Sequence, residues 1–327
     1  MKYLLIFLLS IIIFSCNTKE SNNNNTDKAA INIDDSKDIN QTEQSKADNT
    51  SINTNETEET TYYSYTDEEI VSFIESGDLE TIKKLIESKS LDVNYNLEID
   101  EYSKSTPLIK AIEYKQTDII NYLLENNADV NLTLGYSTPL TEAMYDEELV
   151  RKLIDLGADV NLPAQSGFTP LMASHNNIAI AELLIEKGAD IEAKDDYGIN
   201  ALVYASSDEN EEMVKFLLEK GADANTVCEI ENEDMVISPT PLMNAAYNGN
   251  INIINMLLEN GADINYTTDF GTTPLMMAAG FNHFEAVKVL LENNADTSIT
   301  DEDGRTALDW AKLENFEDIV ELLEEYN

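Results

Sequence analysis

The sequence predicts an all-α solenoid of stacked helix-turn-helix units with short hairpin-like loops, on three observations. One phrase recurs at a spacing close to 33 residues from about residue 67 to the end of the 327-residue chain. Within each copy, apolar residues fall at helical spacing in two short runs. Most copies are also punctuated alike, with Thr-Pro opening the first run and Gly or Asn closing the second.

Residues 1–15 read MKYLLIFLLSIIIFS, with Lys2 ahead of a nearly continuous apolar run and a small residue before Cys16. This is a signal-peptide layout, since a spanning helix needs roughly 20 apolar residues and this run stops short. Ile13, Phe14, Ser15 and Cys16 resemble the lipobox of bacterial lipoproteins. The resemblance implies cleavage before Cys16, lipidation of Cys16 and attachment by acyl chains alone, several of which together anchor firmly. Asn17 does not match the inner-membrane retention signal known in some bacteria, so the outer membrane is the expected location, at its periplasmic face or the cell surface. Residues 16–66 are then expected to be a disordered tether. They are rich in Asn, Thr, Ser, Asp and Glu, and bury too little apolar surface to offset the entropy of ordering.

Residues 67–327 carry the repeats. The clearest copy, TPLMNAAYNGNINIINMLLENGADIN, begins at Thr240, and others begin at Thr106, Thr138, Thr169, Asn200, Thr273 and Thr306. In the Thr240 copy Thr240 can cap a first helix with Pro241 in its opening turn. Leu242, Ala245 and Ala246 give that helix its inner face, and Ile253, Ile254, Leu257 and Leu258 give the second its stripe. Gly261 supplies a left-handed C-terminal position. One pair cannot bury both faces, whereas stacked pairs can. The TPL opening, the paired Ala, the paired Leu and the GAD followed by Asn or a substitute resemble the ankyrin repeat. About eight units are expected, the degenerate first and last acting as caps.

Three departures from the repeat stand out. The His that often follows TPL is replaced by Ile109, Thr141, Met172, Val203, Met243 and Met276. The copies at Thr138 and Thr169 are two residues shorter between their helices, and an acidic insertion around residues 228–237 lengthens one hairpin.

Charge narrows the partners. The chain holds 63 acidic and 20 basic residues, and because the first 66 positions contain 10 and five of these, the repeats keep 53 and 15, net −38. Such a field repels phosphate backbones and anionic headgroups, which excludes nucleic acid and polybasic membrane docking and favours a basic or partly apolar protein or peptide. No catalytic residues, cofactor or metal site are expected. DDYG at 195–198 and DEDG at 301–304 lack the alternating ligands of a calcium loop. His175 and His283 lie in separate inter-helix turns without a ligand cluster, and Cys228 has no Lys, Arg or His near it in sequence to stabilise a thiolate.

Aromatic residues mark the candidate site. Tyr102, Tyr136, Phe168, Tyr197 and Phe270 fall at successive hairpin tips, and Tyr114, Tyr145, Tyr247 and Phe281 at the ends of first helices. The resemblance implies that both sets line the concave groove in which ankyrin proteins take partners, and such side chains suit binding hot spots. Packing against the next unit is the alternative for any one of them. Asp195, Asp196 and Glu142 are expected as rim charges. The expectation is a monomeric, membrane-tethered, non-catalytic interaction module. A surface adhesin or host-interaction lipoprotein is a second reading, and an enzyme or metal-dependent factor a third.

Overall fold

The computed structural model describes residues 63–99, 103–228, 230–232 and 235–326. By contacts the chain divides after residue 60, and all described residues belong to the second unit. Cys16 and Tyr102 lie outside them.

Eight helix pairs follow one another among the described residues. They are α1 (Asp67–Glu75) and α2 (Leu79–Glu87), α3 (Pro107–Glu113) and α4 (Thr117–Glu125), α5 (Pro139–Glu142) and α6 (Glu147–Asp155), and α7 (Pro170–Ala173) and α8 (Ile178–Glu186). Then come α9 (Ala201–Ser207) and α10 (Glu211–Glu219), α11 (Pro241–Asn248) and α12 (Ile251–Glu259), α13 (Pro274–Gly280) and α14 (Phe284–Glu292), and α15 (Ala307–Glu314) and α16 (Glu317–Glu325). First helices pack against first helices of the neighbouring units, and second against second. The all-α repeat solenoid is therefore the observed fold. Two of the connecting hairpins are long enough to form antiparallel ladders: β1 (Leu97–Glu98) with β2 (Lys104–Ser105), and β3 (Ile230–Asn232) with β4 (Met235–Ile237). The second of these is the sequence insertion.

Each first helix starts the same way. Thr106, Thr138, Thr169, Thr240, Thr273 and Thr306 stand at the N-cap with their hydroxyls accepting the N–H three residues on, and Asn200 does so with its amide oxygen. That third residue is where the repeat commonly has His. Here Ile109, Met172, Val203, Met243 and Met276 are buried, so apolar packing between units occupies the place of a polar contact. Thr141 differs, its hydroxyl accepting from the Thr138 N–H at 2.8 Å to close a reciprocal cap. First helices approach closely at Gly280, where a Cβ would lie 2.6 Å from Cε3 of Trp310 in the last unit.

The GAD-Asn phrase builds a ladder along the stack. Within a unit the Asp carboxylate accepts the N–H two residues on, as Asp129 does from Asn131 at 2.8 Å and Asp263 from Asn265 at 2.9 Å. The Asn side-chain oxygen then accepts the N–H of the next unit's Asp: Asn94 from Asp129, Asn131 from Asp159, Asn161 from Asp190, Asn225 from Asp263 and Asn265 from Asp296, all at 2.7–2.8 Å. Asn131, Asn161 and Asn225 also donate to the carbonyls of Gly157, Gly188 and Gly261. Glu192 replaces the Asn at one junction. It still accepts from Asp223 at 2.8 Å, and its other oxygen accepts from Asn200, but it has no proton to donate.

Candidate protein-interaction face

The hairpin tips are tied both to one another and to the first helices. The Asp196 N–H donates to the Ser166 carbonyl and the Glu302 N–H to that of Phe270, each at 2.9 Å, joining tips of successive units. Gly135 is fixed by the same crowding, because it has φ of 69° and a Cβ there would collide with the Lys104 carbonyl of the preceding hairpin.

Two acidic strings that superficially resemble calcium loops are hairpin anchors. One oxygen of Asp195 accepts the N–H groups of Tyr197 and Ile199, and the other accepts the Tyr204 hydroxyl at 2.7 Å. Asp301 repeats the arrangement with the N–H groups of Asp303 and Arg305 and the indole N–H of Trp310 at 2.8 Å. In each case the aromatic donor stands nine residues after the Asp. Neither Tyr204 nor Trp310 belongs to the aromatic set that the sequence marks, and the shared nine-residue spacing from an Asp is the signal that identifies them. Among the described residues no group of three or more His, Cys, Asp or Glu is placed to hold a metal ion.

These contacts correct one expectation. Asp195 is buried, so it anchors a loop rather than standing on a rim; burial raises its carboxyl above the ordinary range against the pull of its hydrogen bonds. Glu142 is half-buried, and its carboxyl is raised by burial first and then by the charge of Glu113. Asp196 is exposed as expected.

The aromatic candidates divide by environment. Tyr136 is 65% exposed at its tip, Tyr145 43% and Tyr197 36%. Tyr145 is also oriented from below, its hydroxyl donating to the Ile112 carbonyl at 2.9 Å and its ring lying 4.6 Å from the Lys115 ammonium. Burial, with Asp146 and Glu142 nearby, pushes its phenol up to about 12. The others are half-buried. Phe168 meets Tyr204 edge-on at 5.4 Å, and Tyr247 meets Phe281 edge-on at 4.5 Å across a unit junction. Tyr114 is half-buried beneath Lys110, whose ammonium is 5.8 Å from the ring, and Phe270 is half-buried at its tip. The structure thus leaves Tyr136, Tyr145 and Tyr197 open and uses Phe168, Tyr247 and Phe281 at least partly to join units.

The remaining chemically notable residues have structural partners. His283 caps the space over Gly249 with a ring nitrogen 2.6 Å from the Tyr247 carbonyl, and the His175 carbonyl accepts from Asn210 at 2.7 Å. Cys228 is wholly buried, and burial and then Asp195 push its thiol up to about 12. A cation is nearby after all: Lys194 of the preceding hairpin pulls the thiol the other way and donates to the Val227 carbonyl at 3.0 Å. No helix among the described residues is long and apolar enough to cross a membrane.

Comparison with known proteins agrees with this architecture. The family model described as ankyrin repeats (3 copies) matches residues 70–134, 140–228 and 242–327, and that of ankyrin repeats (many copies) matches 202–258. Human transient receptor potential cation channel subfamily A member 1 is 29% identical over 195 residues, 58% of this chain and 17% of the relative. The putative ankyrin repeat protein FPV034 of fowlpox virus is 31% identical over 140 residues, 41% of this chain and 33% of the relative. The putative palmitoyltransferase ZDHHC13 of Danio rerio is 29% identical over 210 residues, 62% of this chain and 31% of the relative. In each case the match takes in a third of the relative or less, and the catalytic domain that palmitoyltransferase relatives add to their repeats is not covered. Ankyrin repeats are in general non-enzymatic scaffolds and imply protein–protein interaction. With the family model reaching all eight helix pairs, the chain belongs to the ankyrin-repeat family and is a protein–protein interaction module.

Proposed function

We propose that the chain is a protein-binding module held at a bacterial outer membrane by lipidated Cys16, taking a basic, partly apolar protein or peptide on the face of hairpin tips and first helices. One observation carries the reading. Tyr136 and Tyr197 remain exposed at hairpin tips and Tyr145 beyond the end of a first helix, on a rigidly hydrogen-bonded row of units, while the repeats around them carry net −38. Rigid aromatic side chains give contact area at little entropic cost, and the acidic field speeds the approach of a cationic partner. The module binds without chemistry of its own.

The test uses the full chain in its own cells. Wild type, Cys16→Ser and the Tyr136→Ala, Tyr145→Ala, Tyr197→Ala triple variant are fractionated, then used as bait in detergent-solubilised membranes. Cys16→Ser is expected to leave the membrane fraction, and the triple variant to stay there but lose its partner. Retention of Cys16→Ser in the membrane would refute the tether, and undiminished capture by the triple variant would refute the face.

A further inference from the structure

A second surface lies at the opposite ends of the helices, along the turns that join first to second helix in the last three units. Tyr247 and Phe281 meet there at 4.5 Å. Beside them Ile251 and Phe284 hold the first position of α12 and α14, second helices of neighbouring units, and are 38% and 37% exposed. Leu313, near the end of α15 in the next unit, is 53% exposed. The backbone under this strip is fixed, because the His283 ring packs where a Gly249 side chain would be and hydrogen-bonds the Tyr247 carbonyl. Ile251 and Phe284 share one register position and Leu313 takes that of Tyr247, so three consecutive units each leave a large apolar side chain exposed at this end, a continuity that marks an interaction patch.

Charge decides what such a strip can receive. At one end the turn of the fifth unit presents Asp208, Glu209 and Glu212, all exposed. At the other, α16 opens with exposed Glu317 and Asp318, and Glu285 stands beside Phe284. Residues 240–327 contain 16 acids against three Lys and Arg. Of those three, Lys312 is paired with Glu324 at 2.9 Å and Arg305 with Asp303 at 2.7 Å, and Lys288 lies one turn farther along α14. The corresponding turns in the second and third units differ, for there Lys110 and Lys115 lie over the rings of Tyr114 and Tyr145 and meet the aromatic surface with cations of the chain itself. In the last three units that role is unfilled.

The geometry points to a docking strip, separate from the hairpin face, for a protein segment with an apolar centre and Lys or Arg at both ends. The apolar centre covers Ile251, Phe284 and Leu313, and the cations meet Glu209 and Glu212 at one end and Glu317 and Asp318 at the other. At about 10 Å per unit the acids are roughly 30 Å apart, the reach of about nine extended residues.

A fluorescein-labelled peptide of this pattern, Lys pairs flanking a Leu and Phe centre, tests it by anisotropy with the purified full chain. Ile251→Ser with Phe284→Ser should weaken binding about tenfold or more, while Tyr136→Ala should leave it unchanged. Glu209→Lys with Glu317→Lys should weaken it by a similar factor at low salt and less at high salt. Both changed pairs are at exposed positions, and unchanged thermal midpoints would show the variants folded. Unchanged affinity in the Ser variant would overturn the strip as the site. Equal binding of a peptide with its Lys replaced by Gln would overturn the basic occupant. Preferential binding of anionic vesicles through Ile251 and Phe284 would replace it with a membrane. Because Tyr136→Ala reports only on the hairpin face, either surface can fail while the other stands.

Discussion

The third and fourth units and the sixth and seventh are written in the same phrase, yet their first helices differ twofold in length. α5 and α7 have four residues each, whereas α11 and α13 have eight and seven. The two missing residues come out of the turn. In the longer units the chain reverses through a left-handed residue, Gly249 with φ of 74° or Asn282 with φ of 64°. The short units instead close a tight turn in which the Asp146 N–H donates to the Ala143 carbonyl and the Asn177 N–H to that of Ser174. The opposite end of the unit is untouched: Asn131 and Asn161 keep their ladder bonds to Asp159 and Asp190. What defines a unit is thus its cap, its second helix and its hairpin ladder, and the first helix can lose a turn without breaking the stack.

Core truncation sharpens this contrast most. Leu242 and Leu140 stand at the same buried position of α11 and α5. Leu242→Ala should cost about 2–5 kcal/mol, and Leu140→Ala should fall at the low end of that range, because a one-turn helix can shift to fill the space. Urea denaturation of both variants checks this, and equal costs would mean that helix length does not govern how the unit collapses.

A smaller effect is expected at the ladder, where long and short units should behave alike. Asn161→Ala removes an acceptor for Asp190 and a donor to Gly188, both at an exposed edge, and should cost about 1 kcal/mol. Asn225→Ala, beside a long unit, should cost the same within a few tenths. A large difference in denaturation midpoint between them would show that ladder strength depends on the helices it joins.

The smallest effect concerns pH. Burial raises the Asp195 carboxyl in the folded chain, so its contribution is most favourable below the unfolded value and is lost as pH rises through the raised folded one. Asp195→Asn can still accept from Tyr197 and Ile199 and donate to Tyr204. The variant should therefore flatten the dependence of stability on pH just above the ordinary carboxylate range. Thermal melts across that window, compared with wild type, measure it. An identical slope in the variant would assign the pH dependence to other carboxylates.

Much of this molecule is written locally. Thr-Pro at a cap, Leu pairs at helical spacing and Gly or Asn after the second helix act within a dozen residues, so the helix pairs, their number and their order were legible without coordinates. Even the Asn of the GAD phrase was visible as a recurring letter, though not as a bond to the next unit's Asp. The tertiary structure alone decided matters that depend on neighbours about 30 residues away. Asp195 reads as a surface charge until Tyr204 and the hairpin backbone close over it. Cys228 reads as lacking a cation until the preceding hairpin brings Lys194. Phe168 and Tyr247 read as equals of Tyr136 until the adjoining units cover part of each ring. Exposure is the property that separates a binding residue from a packing one, and in a stacked array it is set by the next unit's side chains, whose positions follow from packing rather than from any local pattern.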